Sequence, residues 1–397
     1  MVMYEGMGFG TKYFKSANEL IVKNPLGNHE NENANTLEGF VKGSDALSKI
    51  QENLKNGEYV AGLPSSLMMS CAGAISTASH GNIGKNGTLS NSLDEIEIHS
   101  PSLGLIHLNK HDDFFNAATV GLGVLGYITK MKFRFQKSKR LIKSVRAIEL
   151  DKFLNELPSI LKNSEGVVLQ IFNQKRLILT TFSKSIQTDN FDLNKTSLKK
   201  IYDIGENLGV KLQRRMSSKQ KSFLRYEFTK YFPQQYLIPA KEAHLPMSSY
   251  SANSKFMNKV NINSHEISIA LTEIDSFLRL LMKDWSETWI NTLSSNPITI
   301  RFTGSDVAFL SPSFGRDSVW IDFLTDKDDG LGILEKIENW HLSSGINARP
   351  HWGKFFTPEK YIFSDLYENF EKFNDIRMTM DSAFSLKNSF ASRIFRS

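Results

Sequence analysis

The stretch Arg349-Pro350-His351-Trp352-Gly353-Lys354 places two permanent cations, a histidine and a tryptophan around one glycine in a chain of 397 residues. Two interpretations of these side chains are open from the residues alone. Lys354 is either an ordinary ion-pair partner or a fixed charge beside a bound group. His351 is either a hydrogen-bonded histidine of the core or a residue of a site. The rest of the chain has to decide between them.

The composition is that of a folded protein with a large core. Apolar residues make up 40% of the chain and aromatic residues 11%, including 28 phenylalanines. This is enough apolar surface for two or three domains. The net charge of +6 favours anionic ligands such as a dinucleotide or a sugar phosphate, but the basic residues are dispersed along the chain. We therefore expect a small-molecule ligand and no nucleic-acid partner.

Cysteine content and hydropathy indicate the compartment. Cys71 is the only cysteine, which excludes an internal disulfide and a multi-cysteine metal site and agrees with a cytoplasmic location. No apolar run approaches the roughly 20 residues of a membrane-spanning helix, and the first residues lack the features of a signal peptide. We expect a cytoplasmic protein without an integral membrane segment. Peripheral membrane contact and the oligomeric state stay open.

Residue patterns predict strands and helices in an irregular order, which is typical of an α+β fold rather than a repeating βαβ layout. Residues 1–136 are dense in Gly, Ser, Asn and Ala, and a richer charge and helical periodicity begin near Lys137. The clearest amphipathic helix is predicted over Ile267–Leu281. Strands are predicted over Ile298–Phe302 and Ser318–Phe323, and one helix over Tyr361–Met380.

The sequence Gly121-Leu-Gly123-Val-Leu-Gly126 matches the glycine pattern of a Rossmann dinucleotide site. That pattern works because a helix starts within the glycine turn and directs its amides at the pyrophosphate. Here Tyr127–Phe135 alternates with period two and predicts a strand. We therefore expect a helix over Asp112–Ala118, a glycine turn and then a strand, and no Rossmann unit.

Few bulky side chains occur between Ser70 and Gly81. Such a stretch allows backbone amides and hydroxyl groups to crowd around a phosphate. The alternative is a helix that packs against another helix through a smooth Ala/Gly face. The stretch alone does not decide between these two interpretations.

Three blocks together resemble the vanillyl-alcohol-oxidase type of flavoprotein, and within it the aldonolactone and alditol oxidases. The first block runs from Ala72 to Leu89 and the second from Phe115 to Ile128. The third comprises Ile300-Arg301-Phe302, Leu310-Ser311-Pro312, Gly315–Ser318, Arg349–Lys354, Arg377, Asp381 and Lys387–Phe390. The likeness covers residues 36–136 and 298–397 well and is general elsewhere.

The resemblance implies two domains with FAD bound between them. Residues 1–136 would form an FAD-binding domain of the PCMH type, and residues 137–345 an α+β substrate or cap domain. Residues 346–397 would return to complete the flavin site. A reduced flavin carries negative charge around N1 and C2=O, which Lys354 would stabilise beside His351. Arg301 would bind or polarise the substrate oxygen. The implied cofactor-binding residues are Gly10, Thr11, Tyr13, Ala72, Gly73, Thr77, Ser79, His80, Gly81, Gly126, Ile128 and His351, and the implied catalytic residues are Arg301, Lys354 and Thr299.

The chain departs from the family pattern in four places. The early glycine loop Gly8–Phe14 has no histidine that could attach FAD covalently, which predicts noncovalent FAD. This loop also lies close to Met1, so we expect an incomplete N-terminal lobe. Thr299 stands where the family has a glutamate two residues before the arginine, and a threonine offers only a neutral hydrogen bond. Leu324 stands where alditol oxidases have a hydroxyl residue.

These features predict an FAD-dependent oxidoreductase, an oxidase or a dehydrogenase, that acts on a CH–OH group of a sugar-derived polyol, an aldonolactone or a related hydroxylated molecule. The alternative is a flavin-binding or degenerate homologue of the same fold without turnover. His107 and His111 have the spacing of a helical metal pair, but the glutamate of the metalloprotease pattern is missing and no third ligand is evident. We therefore expect no metal site.

Overall fold

The computed structural model describes eleven segments of the chain, residues 3–4, 21–22, 40–55, 57–137, 140–184, 218–231, 234–244, 263–284, 297–325, 330–386 and 389–395. Gly10, Thr11 and Tyr13, expected to contact the cofactor, lie outside the described residues. The sequence also predicts a strand over residues 36–42, of which residues 36–39 lie outside the described segments and residues 40–42 form a strand.

Among the described residues up to Lys137, the strands form one four-stranded sheet and two small pairs. Strands β1 (Met3–Tyr4) and β2 (Ile21–Val22) pair in parallel. The larger sheet has the order β3-β7-β5-β6, and β4 pairs with β8. These strands are β3 (Phe40–Lys42), β4 (Glu58–Tyr59), β5 (Leu93–Ser100), β6 (Gly104–Asn109), β7 (Tyr127–Phe133) and β8 (Gln136–Lys137).

The remaining strands form one antiparallel sheet of eight strands in the order β12-β9-β11-β10-β14-β15-β13-β16. In this order β13 lies between β15 and β16, although more than 40 residues separate it from each of them in the chain. The strands are β9 (Arg140–Ile148), β10 (Gly166–Asn173), β11 (Arg176–Lys184), β12 (Gln234–Pro239), β13 (Asn263–Ala270), β14 (Ile298–Thr303), β15 (Ser318–Thr325) and β16 (Arg349–Pro350).

Three helices cover one face of this sheet. Apolar residues of β14 such as Ile298, Ile300 and Phe302 belong to a core that also contains side chains of helices Leu150–Asn163, Ile274–Lys283 and Gly330–Ser343. Because successive side chains of a strand point to opposite faces, the residues between them face away from these helices. The opposite face is polar along β13, β14 and β15.

A second core joins distant parts of the chain. It combines buried residues between Val41 and Phe133 with Ala308–Leu310 and with residues from Trp352 to Phe395. The other α-helices of the described residues are Ser48–Asn53, Cys71–Ser76, Asp113–Thr119, Ser218–Tyr231, Phe363–Leu366, Phe370–Met380 and Ser389–Ile394. Within the described segments, none of the helices is both long enough and apolar enough to cross a membrane.

The glycine turn has the predicted structure. Helix Asp113–Thr119 precedes it and β7 follows it, so a strand rather than a helix leaves Gly126. Backbone φ angles of 51° at Leu122, 71° at Gly123 and 152° at Gly126 make the turn. The rejection of a Rossmann unit is therefore confirmed.

Two predicted helices differ from the structure. The helix predicted over Ile267–Leu281 begins only at Ile274, and residues up to Ala270 belong to β13. Ile267 and Ile269 alternate with polar residues, and β-branched residues at period two favour a strand. The helix predicted over Tyr361–Met380 is two helices, with a break between Leu366 and Phe370.

Candidate active site

Polar side chains of three adjacent strands, β13, β14 and β15, meet side chains of the segment after β16 on the sheet face that the three helices do not cover. Glu266 lies opposite Asp322 in the register of β13 and β15, and Arg301 of β14 lies opposite Trp320 of β15. The chain that leaves β16 is tied to β13 by a hydrogen bond from the His351 backbone N–H to the Glu266 carbonyl oxygen, 2.9 Å. The stretch that ends at Lys354 is thereby fixed beside two carboxylates.

Two cations and two carboxylates form the centre of this site. Lys354 Nζ lies 3.6 Å from Glu266 Oε2 and 3.7 Å from Asp322 Oδ2. Arg301 Nη1 lies 3.9 Å from Glu266 Oε1 and 4.0 Å from Asp322 Oδ2. The Lys354 side chain is 12% exposed and that of Arg301 20%, against 3% and 7% for the two acids. The four charges cancel, and the cations are the more accessible members.

Ser264 links the lysine to one of the acids. Lys354 Nζ donates a hydrogen bond to Ser264 Oγ over 3.0 Å, and Ser264 Oγ donates in turn to Asp322 Oδ1. Because Ser264 is also fully buried, this pair of bonds fixes the ammonium group at one position in the site.

The stretch of small residues brings His80 to the same site. Ser70 caps the N-terminus of helix Cys71–Ser76 by accepting a hydrogen bond from the Gly73 N–H. At the other end, Ala78 has the left-handed φ of 56°, and the N–H groups of Ala78 and Ser79 donate to the carbonyls of Ile75 and Ala74. This is a Schellman turn with alanine in the place usually held by glycine. The turn reverses the chain and directs it to His80.

His80 packs among the aromatic and charged groups of the site. Its ring stacks on Trp320 with 4.0 Å between the centroids, and the centroid of His351 is 5.6 Å away. His80 Nε2 lies 3.1 Å from Glu266 Oε1. His80 Nδ1 is buried and has no hydrogen-bond partner among the described residues.

The proton of His351 can be placed from its contacts. The backbone N–H of Gly353 donates to His351 Nδ1 over 2.9 Å, so Nδ1 carries a lone pair and the neutral ring carries its proton on Nε2. That nitrogen lies 4.0 Å from Glu266 Oε2. Burial lowers the pKa of His351 to about 3, which keeps the ring neutral near pH 7.

Burial and neighbouring charges separate the two carboxylates. Burial alone would raise the pKa of Glu266, but charge interactions with His80, Lys354 and His351 together bring it well below its ordinary value. The pKa of Asp322 is raised, chiefly by burial. Lys354 lowers it, and the negative charge of Glu266 raises it further. A pair of acids pushed apart in this way is typical of sites that move protons.

Several predicted cofactor-binding residues lie together near this site. A Cβ atom added to Gly353 would lie 3.3 Å from Thr77 Oγ1, so the chain after β16 touches the end of helix Cys71–Ser76. Gly81 follows His80 and packs against the Leu63 carbonyl oxygen, 2.0 Å from an added Cβ. His80 and His351 thus contact Glu266 of the charged cluster, Thr77 lies beside Gly353, and Ser79 and Gly81 flank His80 in the chain.

Other predicted residues support the framework. Ala72 donates its backbone N–H to the Gly43 carbonyl, and an added Cβ on Gly43 would lie 1.9 Å from the Ile128 carbonyl oxygen. Gly126 lies beside the His99 carbonyl. Ala72 and Ile128 therefore join the helix to β7 through Gly43, Gly73 donates the N-terminal capping bond of the helix, and Gly126 packs β7 against β5.

Thr299, expected at the substrate side, lies opposite Asp322 in the register of β14 and β15. Its hydroxyl donates to the Pro297 carbonyl oxygen over 3.3 Å, and the residue is 7% exposed. Leu324 is half-buried on β15. Neither residue supplies a charge to the site.

The sequence did not single out Glu266, Asp322, Ser264 or Trp320. Alternation in Ser318–Phe323 could have placed Trp320 and Asp322 on one face of β15. Glu266 and Ser264 were hidden because the helix predicted from Ile267 concealed the end of a strand. A prediction of β13 from its period-two pattern would have placed Ser264, Glu266 and Ser268 together on the polar face.

The donor chemistry of the site fits a flavin better than a metal ion. His80, Glu266 and His351 have ligand atoms within 4.8 Å of one another. A metal ion there would face Lys354 and Arg301, both within 4 Å of the same carboxylate. A polar planar ring that becomes negative on reduction suits the two partly exposed cations and the buried His80 Nδ1, which needs a partner.

The comparisons with known proteins agree with this chemistry. A family model described as D-arabinono-1,4-lactone oxidase matches residues 131–394. L-gulonolactone oxidase from Mus musculus is 22% identical over 350 residues, which are 86% of this chain and 77% of that protein. Alditol oxidase from a Streptomyces species is 29% identical over 93 residues, 23% of this chain and 22% of that protein.

Among solved structures, two of cholesterol oxidase from Brevibacterium sterolicum, one of them a histidine-to-alanine mutant, are similar to this chain with TM-scores of 0.64 and 0.62 and 13% identity. Each alignment covers 89% of this chain and 80% of the other chain. This likeness shows a shared fold, and the mixed α+β class predicted from the sequence is confirmed. With a family model matched over most of its length, the chain belongs to the D-arabinono-1,4-lactone oxidase family and is an FAD-dependent oxidoreductase.

Proposed function

We propose that the protein oxidises a CH–OH group of a sugar-derived polyol, an aldonolactone or a related hydroxylated molecule with noncovalently bound FAD. The observation that carries the proposal is the arrangement of Lys354 and Arg301, two partly exposed cations held over two buried carboxylates on adjacent strands. Family membership and the names of L-gulonolactone oxidase and alditol oxidase support the same substrate class.

The residues that would hold the cofactor are those that meet at the end of helix Cys71–Ser76. Thr77, Ser79, His80 and Gly81 would contact it from one side, and His351 from the other. Bound FAD would supply the acceptor for the two electrons and the hydrogen removed from the substrate carbon. Noncovalent binding is supported by the absence of histidine from Gly8–Phe14.

The protein's own side chains have distinct tasks in this proposal. Lys354 supplies a fixed positive charge at the flavin, placed by Ser264. Arg301, the more exposed cation, binds the substrate oxygen. Its guanidinium is steadied by a long hydrogen bond from Nε to Asn82 Oδ1, 3.5 Å. Because these charges are preorganised and largely buried, they stabilise developing charge without reorganising water.

Burial also limits the entry of water. Trp320 is fully buried and donates from Nε1 to Thr303 Oγ1 over 2.9 Å, and His80 covers its ring. Trp320 stands opposite Arg301 in the strand register, so the two stacked rings form a buried floor beside Arg301. A dry floor strengthens each electrostatic interaction above it.

A catalytically silent flavin-binding homologue is the second candidate. The hydroxyl of Thr299 is engaged with the Pro297 carbonyl, so the residue expected on the substrate side offers no base.

We place the protein in the cytoplasm as a small-molecule enzyme without a nucleic-acid partner, on the dispersed charge and single cysteine of the sequence.

The test begins with the colour of the purified protein. We expect flavin absorbance that is released into the supernatant when the protein is denatured, as noncovalent FAD requires. Anaerobic addition of polyols and aldonolactones should bleach that absorbance. A coloured protein that no compound of these classes reduces would favour the silent homologue, and a colourless one that FAD does not stabilise would contradict both candidates.

Variants of two lysines make the test specific. Lys354→Met should slow flavin reduction by about 100-fold or more, the effect of losing one preorganised charge in a site. Lys336→Met, on the exposed side of helix Gly330–Ser343, should leave the rate unchanged. Equal rates in the two variants would remove Lys354 from the proposal.

A further inference from the structure

The proposed oxidation requires a group that takes the hydroxyl proton, and Thr299 cannot provide it. A threonine hydroxyl is neutral, and this one already donates to the Pro297 carbonyl. Directly across the strand pair from Thr299 stands Asp322. Side chains at facing positions of antiparallel strands lie on the same side of the sheet, with Cβ atoms about 4.5–5.5 Å apart. Asp322 on β15 therefore places a carboxylate beside position 299 of β14, which has no acidic side chain of its own.

Asp322 is also placed between the two cations. Its Oδ2 lies 3.7 Å from Lys354 Nζ and 4.0 Å from Arg301 Nη1. Consider a substrate whose hydroxyl oxygen is bound by Arg301 and whose reacting carbon faces a flavin beside Lys354. Asp322 Oδ2 would then be the neighbouring carboxylate oxygen of that hydroxyl group. The other oxygen, Oδ1, accepts from Ser264 Oγ, which orients the carboxylate so that Oδ2 faces the cations.

We propose that Asp322 is the general base of the reaction and accepts the proton of the substrate hydroxyl on Oδ2. This inference rests on the proposed function. In the step, the substrate O–H bond breaks and its proton passes to Asp322, while the electron pair of that bond forms the C=O π bond. The hydrogen of the carbon leaves with its bonding pair to FAD, which is reduced as the substrate is oxidised.

Glu266 is the less suitable of the two acids for this role. Its side chain is 3% exposed, and it is surrounded by His80 at 3.1 Å, Lys354 at 3.6 Å and His351 at 4.0 Å. Charge interactions with these three neighbours hold its pKa well below the ordinary range against the effect of burial. A carboxylate held so firmly in its charged form is a poor proton acceptor. Glu266 instead supplies the fixed negative charge that balances the cations.

The surroundings of Asp322 favour proton uptake. The charged groups that face it are Lys354, Glu266 and Arg301, and Ser264 donates to it. Burial raises its pKa, Lys354 and Arg301 lower it, and Glu266 raises it. The direction of the net shift is upward, and a base works best when its pKa approaches the working pH.

The test uses the FAD-containing protein and the compound that reduces its flavin fastest. Asp322→Asn keeps the shape and the acceptor for Ser264 but removes the base. We expect flavin reduction to slow by about 100-fold or more, as is typical for the loss of a general base, with FAD still bound. The matched control is Asp365→Asn, an exposed carboxylate on helix Phe363–Leu366, which should reduce at the wild-type rate.

The pH dependence separates a base from a merely structural residue. In the wild type the reduction rate should rise with pH through the pKa of Asp322, because only the deprotonated form accepts the proton. In Asp322→Asn this acid limb should be absent. The double variant Thr299→Glu, Asp322→Asn carries a carboxylate on the facing strand instead. Its flavin should be reduced at least tenfold faster than that of Asp322→Asn alone, and the rise of the rate with pH should return.

Four outcomes overturn the inference. Reduction of Asp322→Asn within about threefold of the wild type would do so, and so would a slow variant that keeps the acid limb, which would assign the base to another group such as Glu266. If Asp322→Asn fails to retain FAD, Asp322→Glu decides, and an acid limb at an unchanged pH would overturn the inference. A wild-type flavin that no polyol or lactone reduces would overturn the proposed function as well, whereas the first three outcomes leave that function standing.

Discussion

Replacing Glu338 should detach the chain that follows the site from the helix that supports it. Glu338 lies on helix Gly330–Ser343 and is fully buried. Its carboxylate accepts hydrogen bonds from the Thr357 N–H and hydroxyl, both 2.7 Å, from Lys360 Nζ at 3.0 Å and from Tyr361 Oη at 3.1 Å. One buried acid therefore holds three residues of the segment after Lys354.

The magnitude follows from these four bonds. A hydrogen bond to a charged group contributes about 1.5–3 kcal/mol, and a buried donor left without a partner costs about 1–3 kcal/mol. In Glu338→Ala, Lys360 is partly exposed and can turn to water, but the Thr357 N–H and the buried Tyr361 hydroxyl cannot do so fully. We expect the free energy of unfolding to fall by about 3–5 kcal/mol, the usual cost of removing one partner of a buried charge pair.

Urea unfolding, followed by circular dichroism, measures this loss from the shift of the midpoint at constant slope. The control is Glu335→Ala on the same helix, because Glu335 is 54% exposed and forms an ion pair with Lys360 at 3.4 Å. This variant should stay within about 0.5 kcal/mol of the wild type. A loss below about 1 kcal/mol in Glu338→Ala would refute the reasoning, since the four bonds would then contribute no more than exposed ones.

Two further perturbations test the burial of single groups. Because burial lowers the pKa of His351 to about 3 from 6.5 in the unfolded chain, stability should fall as the pH drops from 6.5 towards 3. His351→Asn keeps an acceptor for the Gly353 N–H without this titration and should therefore lose about 2.5 kcal/mol less than the wild type between pH 7 and about pH 4.5 in denaturant unfolding. Parallel losses in the two proteins would contradict the assignment of a neutral, buried His351. Cys71 is fully buried and burial raises the pKa of its thiol, so an alkylating reagent should modify it in denaturant only. Modification of the native protein at a comparable rate would show that the helix opens.

The fold could be predicted where one periodicity dominates a segment. The turn at Gly126 followed by β7 was predicted because Tyr127–Phe133 alternates clearly. The helix predicted from Ile267 was wrong at its start, because a helix and a strand adjoin there without a break in apolar character, and Ile267 fits either pattern. The strand β13 is specified by its neighbours in the sheet, β15 and β16, which lie more than 40 residues away in sequence.

The candidate site shows the same division. Lys354, Arg301 and His351 could be predicted from the resemblance, and the structure brings them together. Asp322 and Glu266 could not, because their importance depends on strand register. Asp322 on β15 faces Glu266 on β13 on one side and Thr299 on β14 on the other. No local pattern in the sequence contains this relation. The left-handed Ala78 was equally hidden, since glycine is the residue that normally indicates such a turn.

The core that joins residues 41–133 with residues 352–395 has a consequence for the newly made protein. During synthesis the early segments leave the ribosome long before Trp352, Tyr367 and Phe373, fully or almost fully buried side chains that complete their core. The apolar surface of the four-stranded sheet therefore stays exposed while the eight-stranded sheet is still being synthesised. Contacts between such distant segments slow folding and leave intermediates exposed to aggregation. Efficient production of this protein should accordingly depend on chaperones and on slow synthesis more than on the stability of the finished fold.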